Sequence, residues 1–420
     1  MNILWITNTI FPAPSKALGL PTPNVGGWMY SLAANLIHSQ AITLAVATVY
    51  HGKQLQQMDL ESIRYYLIPK RTVTSKYDAS LEKYWKQIKN EFKPDVIHIH
   101  GTEFAPALAY LKANGNQGVV VSIQGLTSIC SRYYRAGITN HDIVRNLTFR
   151  DVIRWDNIIQ QQRKFSERGK IEKEIIASVD HIIGRTSWDR DHSHAINHRA
   201  QYYFSNETLR SSFYNSAKWE YANCEKHSIF LSQAAYPIKG LHQVIKALPF
   251  VLREYPDTKV YVAGYNLIAQ NNLKDSFRRS GYARYLLTLM RKLRITDRVI
   301  FLGSLNEQAI YEQYRKANVF ICPSSIENSP NSLGEAQLIG TPVIASYVGG
   351  IPNMVEHGKT GLLYPFEEVE MLAEHIRQVF SDDKFAENLS INEIQIASER
   401  HNQQINLANT LMIYREIANQ

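Results

Sequence analysis

Short β-branched runs alternate with amphipathic stretches along most of the chain. Asn2–Thr7 (NILWIT), Ala41–Val49, Asp95–His100 (DVIHIH), Val119–Ile123 and Asp180–Gly184 read as buried strands. A Pro-rich loop from Phe11 to Pro23 follows the first of them, and Gly26-Gly27 opens the helical run WMYSLAANLIHS. A second series starts near Ser228. SIFLSQ, KVYVAG, RVIFLG, NVFICP and PVIAS read as strands, and KGLHQVIKALPFVLREY as an amphipathic helix. Strands joined by helices of such length predict parallel sheets covered on both faces. Residues 142–176 read as strongly helical and polar, and the last 20 residues as a helix. The pattern therefore predicts two doubly wound α/β halves, split around Asn215–Lys226. Open sheets of this kind bind ligands at the carboxyl ends of their strands.

Composition narrows the class. The apolar share is 45% and the charged share 20%, an ordinary globular balance that excludes disorder and coiled coil. The formal net charge of +8 favours anionic partners without choosing among them. Cys130, Cys224 and Cys322 lie far apart, with neither disulfide nor zinc spacing. No apolar stretch reaches the ~18 residues of a spanning helix, and the start reads as a strand, not a signal peptide. The expectation is a soluble, cytoplasmic protein. Two N-glycosylation patterns, at Asn146 and Asn206, read as chance.

Candidate chemistry concentrates in Asn318–Tyr364. Glu327 and Glu335 are separated by seven residues, and Glu335 stands three after Ser332 as in a capping box. A helix starting near Leu333 would direct the amides of Ser332 and Leu333 at a phosphate. Gly349-Gly350, after the strand PVIAS, would let a backbone approach a ligand closely.

With G-T-P-V-I-A-S and G-G-x-P following it, Glu-x7-Glu resembles the motif of the retaining nucleotide-sugar glycosyltransferases of family 4 (glycosyl transferases group 1). The resemblance covers essentially the whole chain, tightly in the C-terminal half and loosely in the N-terminal half. It implies the GT-B fold, two Rossmann-like doubly wound domains facing across a cleft. On that reading residues 1–222 form the acceptor domain and 223–399 the donor domain. Residues 400–420 would be a helix packing back on the first. The resemblance assigns Glu327 to hydroxyls of the donor sugar and Glu335 to the nucleotide ribose. Lys239, of the pair Lys239-Gly240, would take the donor diphosphate. Gly26-Gly27 would line the phosphate and acceptor side.

Two departures stand out. The family's usual Arg, five residues before the Lys, is replaced by Ala234, and Arg185 is one candidate substitute; a structural Arg–Asp pair is the other reading. The family's usual His on the strand VVVSIQG is replaced by Gln124, which cannot act as a general base. His98 and His100 share one face of DVIHIH, and His100 is the candidate active-site imidazole. Asp191, His194 and His198, near Asp189 and His192, fall at helical spacing but read as a solvated face, not a metal site.

Arg145–Lys173 carries eight basic and four acidic residues with interleaved apolar ones. Its apolar stripe is expected to pack on the sheet, with contact to the cytoplasmic face of a membrane as the alternative. The resemblance implies hexosyl transfer from a nucleotide sugar, UDP-linked, to a glycan or lipid-linked acceptor in bacterial surface polysaccharide synthesis. No metal or other cofactor is expected, and no nucleic-acid partner. A nucleotide-sugar epimerase of the same fold and a non-enzymatic anion-binding protein remain open alternatives.

Overall fold

The computed structural model describes residues 1–21, 26–38, 42–70, 76–268 and 279–420. The start of the expected strand at Ala41 and the end of the Pro-rich loop at Pro23 lie outside these. The chain divides into two compact units. Unit 1 comprises Met1–Ile129, Lys164–Arg210 and His401–Gln420; unit 2 comprises Cys130–Arg163 and Ser211–Arg400.

Unit 1 is built on an eight-stranded sheet. Its strands are β1 (Asn2–Ile6), β2 (Thr43–Tyr50), β3 (Gln56–Leu60), β4 (Ile63–Pro69), β5 (Val96–His100), β6 (Val119–Ser122), β7 (His181–Gly184) and β8 (Gln201–Phe204). They lie in the order β3-β4-β2-β1-β5-β6-β7-β8. All pairings are parallel except β3 with β4. Alternation along β1 sends Leu4 and Ile6 into one apolar layer and Ile3 and Trp5 into the other. The helix Gln403–Ala418 closes the second layer, where the Trp5 indole donates to the Tyr414 hydroxyl at 3.0 Å. The Pro-rich loop contains a short helix, Pro12–Ala17.

Unit 2 carries six parallel strands: β9 (Glu225–Leu231), β10 (Lys259–Ala263), β11 (Val299–Gly303), β12 (Ala317–Cys322), β13 (Val343–Ser346) and β14 (Leu362–Tyr364). Their order is β11-β10-β9-β12-β13-β14. The chain therefore builds outward from β9, then returns to lay β12 on its other side. That reversal falls between β9 and β12, and open α/β sheets bind ligands at the carboxyl ends of the strands at such a point.

Two features differ from the sequence reading. First, residues 142–176 are helical as read, but the helicity is divided among three helices, Asn140–Arg145, Phe149–Arg154 and Ile158–Ala177. Their N-terminal part groups with unit 2. His242 Nε2 lies 2.8 Å from the Ala136 carbonyl, Arg284 donates to the Leu147 carbonyl, and Thr288 donates to Asn146 Oδ1. At Gly281 a Cβ would come within 2.5 Å of Asp151 Oδ2, so a larger residue would have to displace that carboxylate. Second, the apolar stripe of the helix Phe149–Arg154 does not pack on the sheet as expected; Phe149, Val152 and Ile153 stand in solvent. The passage into unit 2 also falls earlier than residue 222. The Trp219 indole donates to the Ala317 carbonyl at 2.8 Å and Tyr311 to the Ala217 carbonyl at 2.8 Å, fastening this linker to unit 2.

Candidate functional site

The reversal point of the unit 2 sheet gathers Lys239 and Glu327. After β9 the chain makes a tight turn, Pro237–Lys239, and enters the helix Leu241–Val251 through Gly240 in the left-handed region, φ 72°. A Cβ on Gly240 would lie 1.6 Å from the Pro323 carbonyl oxygen, so glycine is what lets this turn meet the end of β12. The Ser325 amide donates to the Ile238 carbonyl at 2.8 Å and fixes the contact.

That contact sets Lys239 beside Glu327. Nζ donates to Oε1 at 2.6 Å, and Ser324 Oγ donates to the same oxygen at 2.8 Å. Burial draws the ammonium down, but the Glu327 carboxylate more than offsets this and holds Lys239 above its ordinary range. Cys322 lies close by, its thiol pushed up to about 12 by burial and then by the Glu327 charge. Gly349 and Gly350 meet the Glu327 backbone. The Gly350 amide donates to the Glu327 carbonyl at 3.0 Å, and a Cβ on Gly349, φ 54°, would lie 1.9 Å from that oxygen. The glycine pair therefore positions the backbone of Glu327.

Glu335 differs from its expected setting. The helix runs Asn331–Ile339 with Pro330 at its cap and no side-chain cap bond, so Ser332 and Glu335 form no capping box. The Pro330 carbonyl accepts from the amides of Leu333 and Gly334, which starts the helix before Ser332. The Leu333 amide is thus engaged within the chain, and its side chain is core. Glu335 turns inward instead and accepts from the Tyr314 hydroxyl at 3.4 Å. Ala234, in the place of the expected cation, is buried.

In unit 1, His98 and His100 are both buried at the end of β5. His98 stands between Tyr414, 2.5 Å from Nδ1, and Ser122 at Nε2. Burial lowers its pKa to about 3. His100 stacks 3.8 Å from His98 and edge-on to Trp5, and neither ring nitrogen has a hydrogen-bond partner among the described residues. It lines a narrow cavity of about 30 Å³ with Trp28, Arg185 and Glu207. Burial, and then His98, hold its imidazole well below the usual range, so it is a neutral group.

Arg185 is committed within unit 1. It pairs with Glu207 at 2.6 Å and donates to the carbonyls of Ile123 and Gln124 at 3.1 and 3.0 Å. Gln124 donates to Glu207 at 2.9 Å. The partner is thus Glu207, not an aspartate; the sequence around it, FSNETL, shows no pattern that marks it. Gly26, φ 85°, caps the helix Gly27–Ile37, and a Cβ on Gly27 would lie 2.8 Å from the Arg210 side chain. Asp189 is taken up as a capping box with Thr186, and His194 and Asp191 are exposed. Among the described residues no group of three His, Cys, Asp or Glu side chains is arranged to hold a metal ion. Among them, too, no helix is long and apolar enough to cross a membrane.

Two parallel α/β units of the Rossmann-like kind define the GT-B class of fold, and residues 215–395 match the model of the glycosyl transferases group 1 domain. Spore coat protein SA of Bacillus subtilis is 29% identical over 183 residues, covering 43% of this chain and 46% of that protein. The chain thus matches about half the length of this curated relative. Sucrose-phosphate synthase from Thermosynechococcus elongatus superposes with TM-score 0.70 at 17% identity, over 99% of both chains. Anabaena HepE, solved with UDP and glucose, superposes with TM-score 0.66 at 15% identity, over 99% of this chain and 100% of that one. At these identities the likeness is one of fold.

Proposed function

We propose that this chain is a retaining glycosyltransferase of family 4. It transfers a hexosyl unit from a UDP-linked sugar to a glycan or lipid-linked acceptor, in surface polysaccharide synthesis at the cytoplasmic side. The observation that carries the reading is the Lys239–Glu327 pair at the reversal point of the unit 2 sheet, inside the matched domain. Hydrogen bonding to Glu327 uses one of the three ammonium donors of Lys239 and leaves two for a diphosphate. Lys239 neutralises charge that develops on the leaving nucleoside diphosphate, the main electrostatic demand of the reaction. Glu327 orients sugar hydroxyls, since a carboxylate accepts two such bonds. Gly240, Gly349 and Gly350 admit the backbone next to the phosphates, with the Ser332 and Leu333 end of the helix beside them. Glu335 takes the ribose. His100, with Gly26 and Gly27, serves the acceptor from unit 1. No metal is required, because positioning and the lysine supply the stabilisation. The solved complex of HepE with UDP and glucose supports the choice of donor.

Thermal shift against a panel of nucleoside diphosphates and nucleotide sugars tests the reading. A ligand at about 100 times its Kd adds roughly 2.7 kcal/mol. The expected result is a shift with UDP and one UDP-sugar, reduced in Lys239→Ala and Glu335→Ala. A folded protein that shifts with none of them refutes it.

A further inference from the structure

The segment that joins unit 2 from within the first half of the chain shows an unusual surface. Val144, Phe149, Val152, Ile153 and Trp155 are each 63–69% exposed, within twelve consecutive residues. Phe149, Val152 and Ile153 follow i, i+3, i+4 spacing and so form one apolar stripe, directed away from the protein. Trp155 ends that helix in the left-handed region, φ 50°. Stability alone favours glycine or asparagine at such a position. The Trp155 indole there is 67% exposed, so it buries little apolar area to offset that backbone.

The charges around the stripe are sorted. Asp151 is buried and closes a capping box with Thr148, Asp142 bonds Thr139, and Asp156 holds Arg150. The acids are thus spent within the segment, while Arg145 and Arg154 are exposed. Arginines flank the stripe on both sides. A cavity of about 400 Å³ is lined by Arg154 and Arg279 among tyrosines, with Arg150 held in it by Asp156. Another, of about 440 Å³, is lined by Phe149 with Arg279, Arg284 and Arg291.

We infer that this surface docks unit 2 on an anionic phospholipid bilayer, with the apolar side chains entering the acyl boundary and the arginines at phosphate level. Apolar knobs ringed by guanidinium groups match the two layers of a bilayer interface, aromatic and aliphatic groups below and lipid phosphate above. A partner protein of this footprint would bring acids to an apolar centre, whereas a bilayer separates the two by depth. The inference does not depend on the nature of the donor sugar.

Vesicle flotation of the full chain tests it, with phosphatidylcholine alone and with about 30% phosphatidylglycerol. Wild type is expected to partition at least about tenfold better onto the anionic vesicles, as each basic residue near such a surface adds to binding. Phe149→Ser/Ile153→Ser/Trp155→Ser and Arg145→Glu/Arg154→Glu/Arg291→Glu are each expected to lose at least about tenfold. Both variants should keep the wild-type melting temperature and the wild-type shift with UDP, since the changed side chains are exposed. Wild type that ignores anionic vesicles overturns the inference without touching the nucleotide-sugar reading. So does a serine variant that floats like wild type. Light scattering supplies a further test: a wild-type dimer that the serine variant dissolves would assign the stripe to a second copy of the chain and overturn bilayer docking.

Discussion

Gly240→Ala isolates the contact on which the unit 2 site rests. Two terms contribute to its cost. An alanine at φ 72° pays about 1–2 kcal/mol for the left-handed backbone. The added Cβ, 1.6 Å from the Pro323 oxygen, must also gain more than 1 Å before it reaches the closest tolerated approach. Separating the turn from β12 by that amount costs about 1–3 kcal/mol in displaced packing. It also breaks the bond from the Ser325 amide to Ile238, worth roughly 1 kcal/mol. The total is about 3–6 kcal/mol. Gly303→Ala is the matched control, because Gly303 has nearly the same φ, 75°, with nothing within 4 Å of the added carbon. It should cost only the backbone term, about 1–2 kcal/mol. Calorimetric melting of the two variants should therefore differ by at least about 2 kcal/mol, or roughly 4–8 °C for a unit of this size. Melting temperatures within 2 °C of each other would refute the claim that Pro323 and Gly240 are held in contact.

Other outcomes follow from the buried charges. His98 and His242 are each lowered to about 3 by burial, so they stay neutral in the fold while the unfolded chain protonates them below about 6.5. The unfolded state then binds more protons, and stability falls with falling pH by up to about 1.4 kcal/mol per unit for each histidine. Glu103, pushed up to about 7 by burial, works oppositely between about 4.5 and 7, and partly masks this. Urea midpoints from pH 7 to 4.5 measure the net slope, and His242→Gln should flatten it. Arg185→Met should cost about 3–5 kcal/mol by stranding the largely buried Glu207 carboxylate. The double variant Arg185→Met/Glu207→Leu should recover most of that in the same urea assay, and failure to recover would mean that the pair does not govern the loss.

Local pattern carried much of the architecture. β1, β5, β6, β9, β12 and β13 were legible because each is a short apolar run bounded by polar turns. Lys239, Gly240, Glu327 and the Gly349-Gly350 pair were legible because their spacing forms a motif, although their mutual contacts, across 88 residues between Lys239 and Glu327, were not. The edge strand β3 was missed because QQMDL has no apolar run and alternates between half-exposed and exposed positions, whereas its neighbour β4, IRYYLIP, is an apolar run that the reading passed over. Ser332 and Glu335 show how a cap pattern fails. The spacing was right, but Pro330 started the helix early and a tyrosine waited inside for the carboxylate. For Phe149, Val152 and Ile153, periodicity identified a face but could not say what that face meets. The bonds that hold the segment and leave this face exposed come from the helix Gly281–Leu293, well over a hundred residues further along.

That separation matters during synthesis. Chain growth is vectorial, and the carbonyl of Ala136 leaves the ribosome 106 residues before His242, its partner. At about 5–20 residues per second the delay is roughly 5–20 s. The β6 segment has meanwhile finished its side of unit 1, and the strand that follows, β7, waits on the far side of residues 130–163. The nascent chain must therefore hold this loop out, undocked, while the sheet of unit 1 assembles around its two ends. Unit 1 itself cannot be completed until Gln403–Ala418 arrives to cover Trp5, whose partner Tyr414 lies 409 residues further along. The strand β1 is thus sealed late, and neither unit can be released as a single uninterrupted fragment.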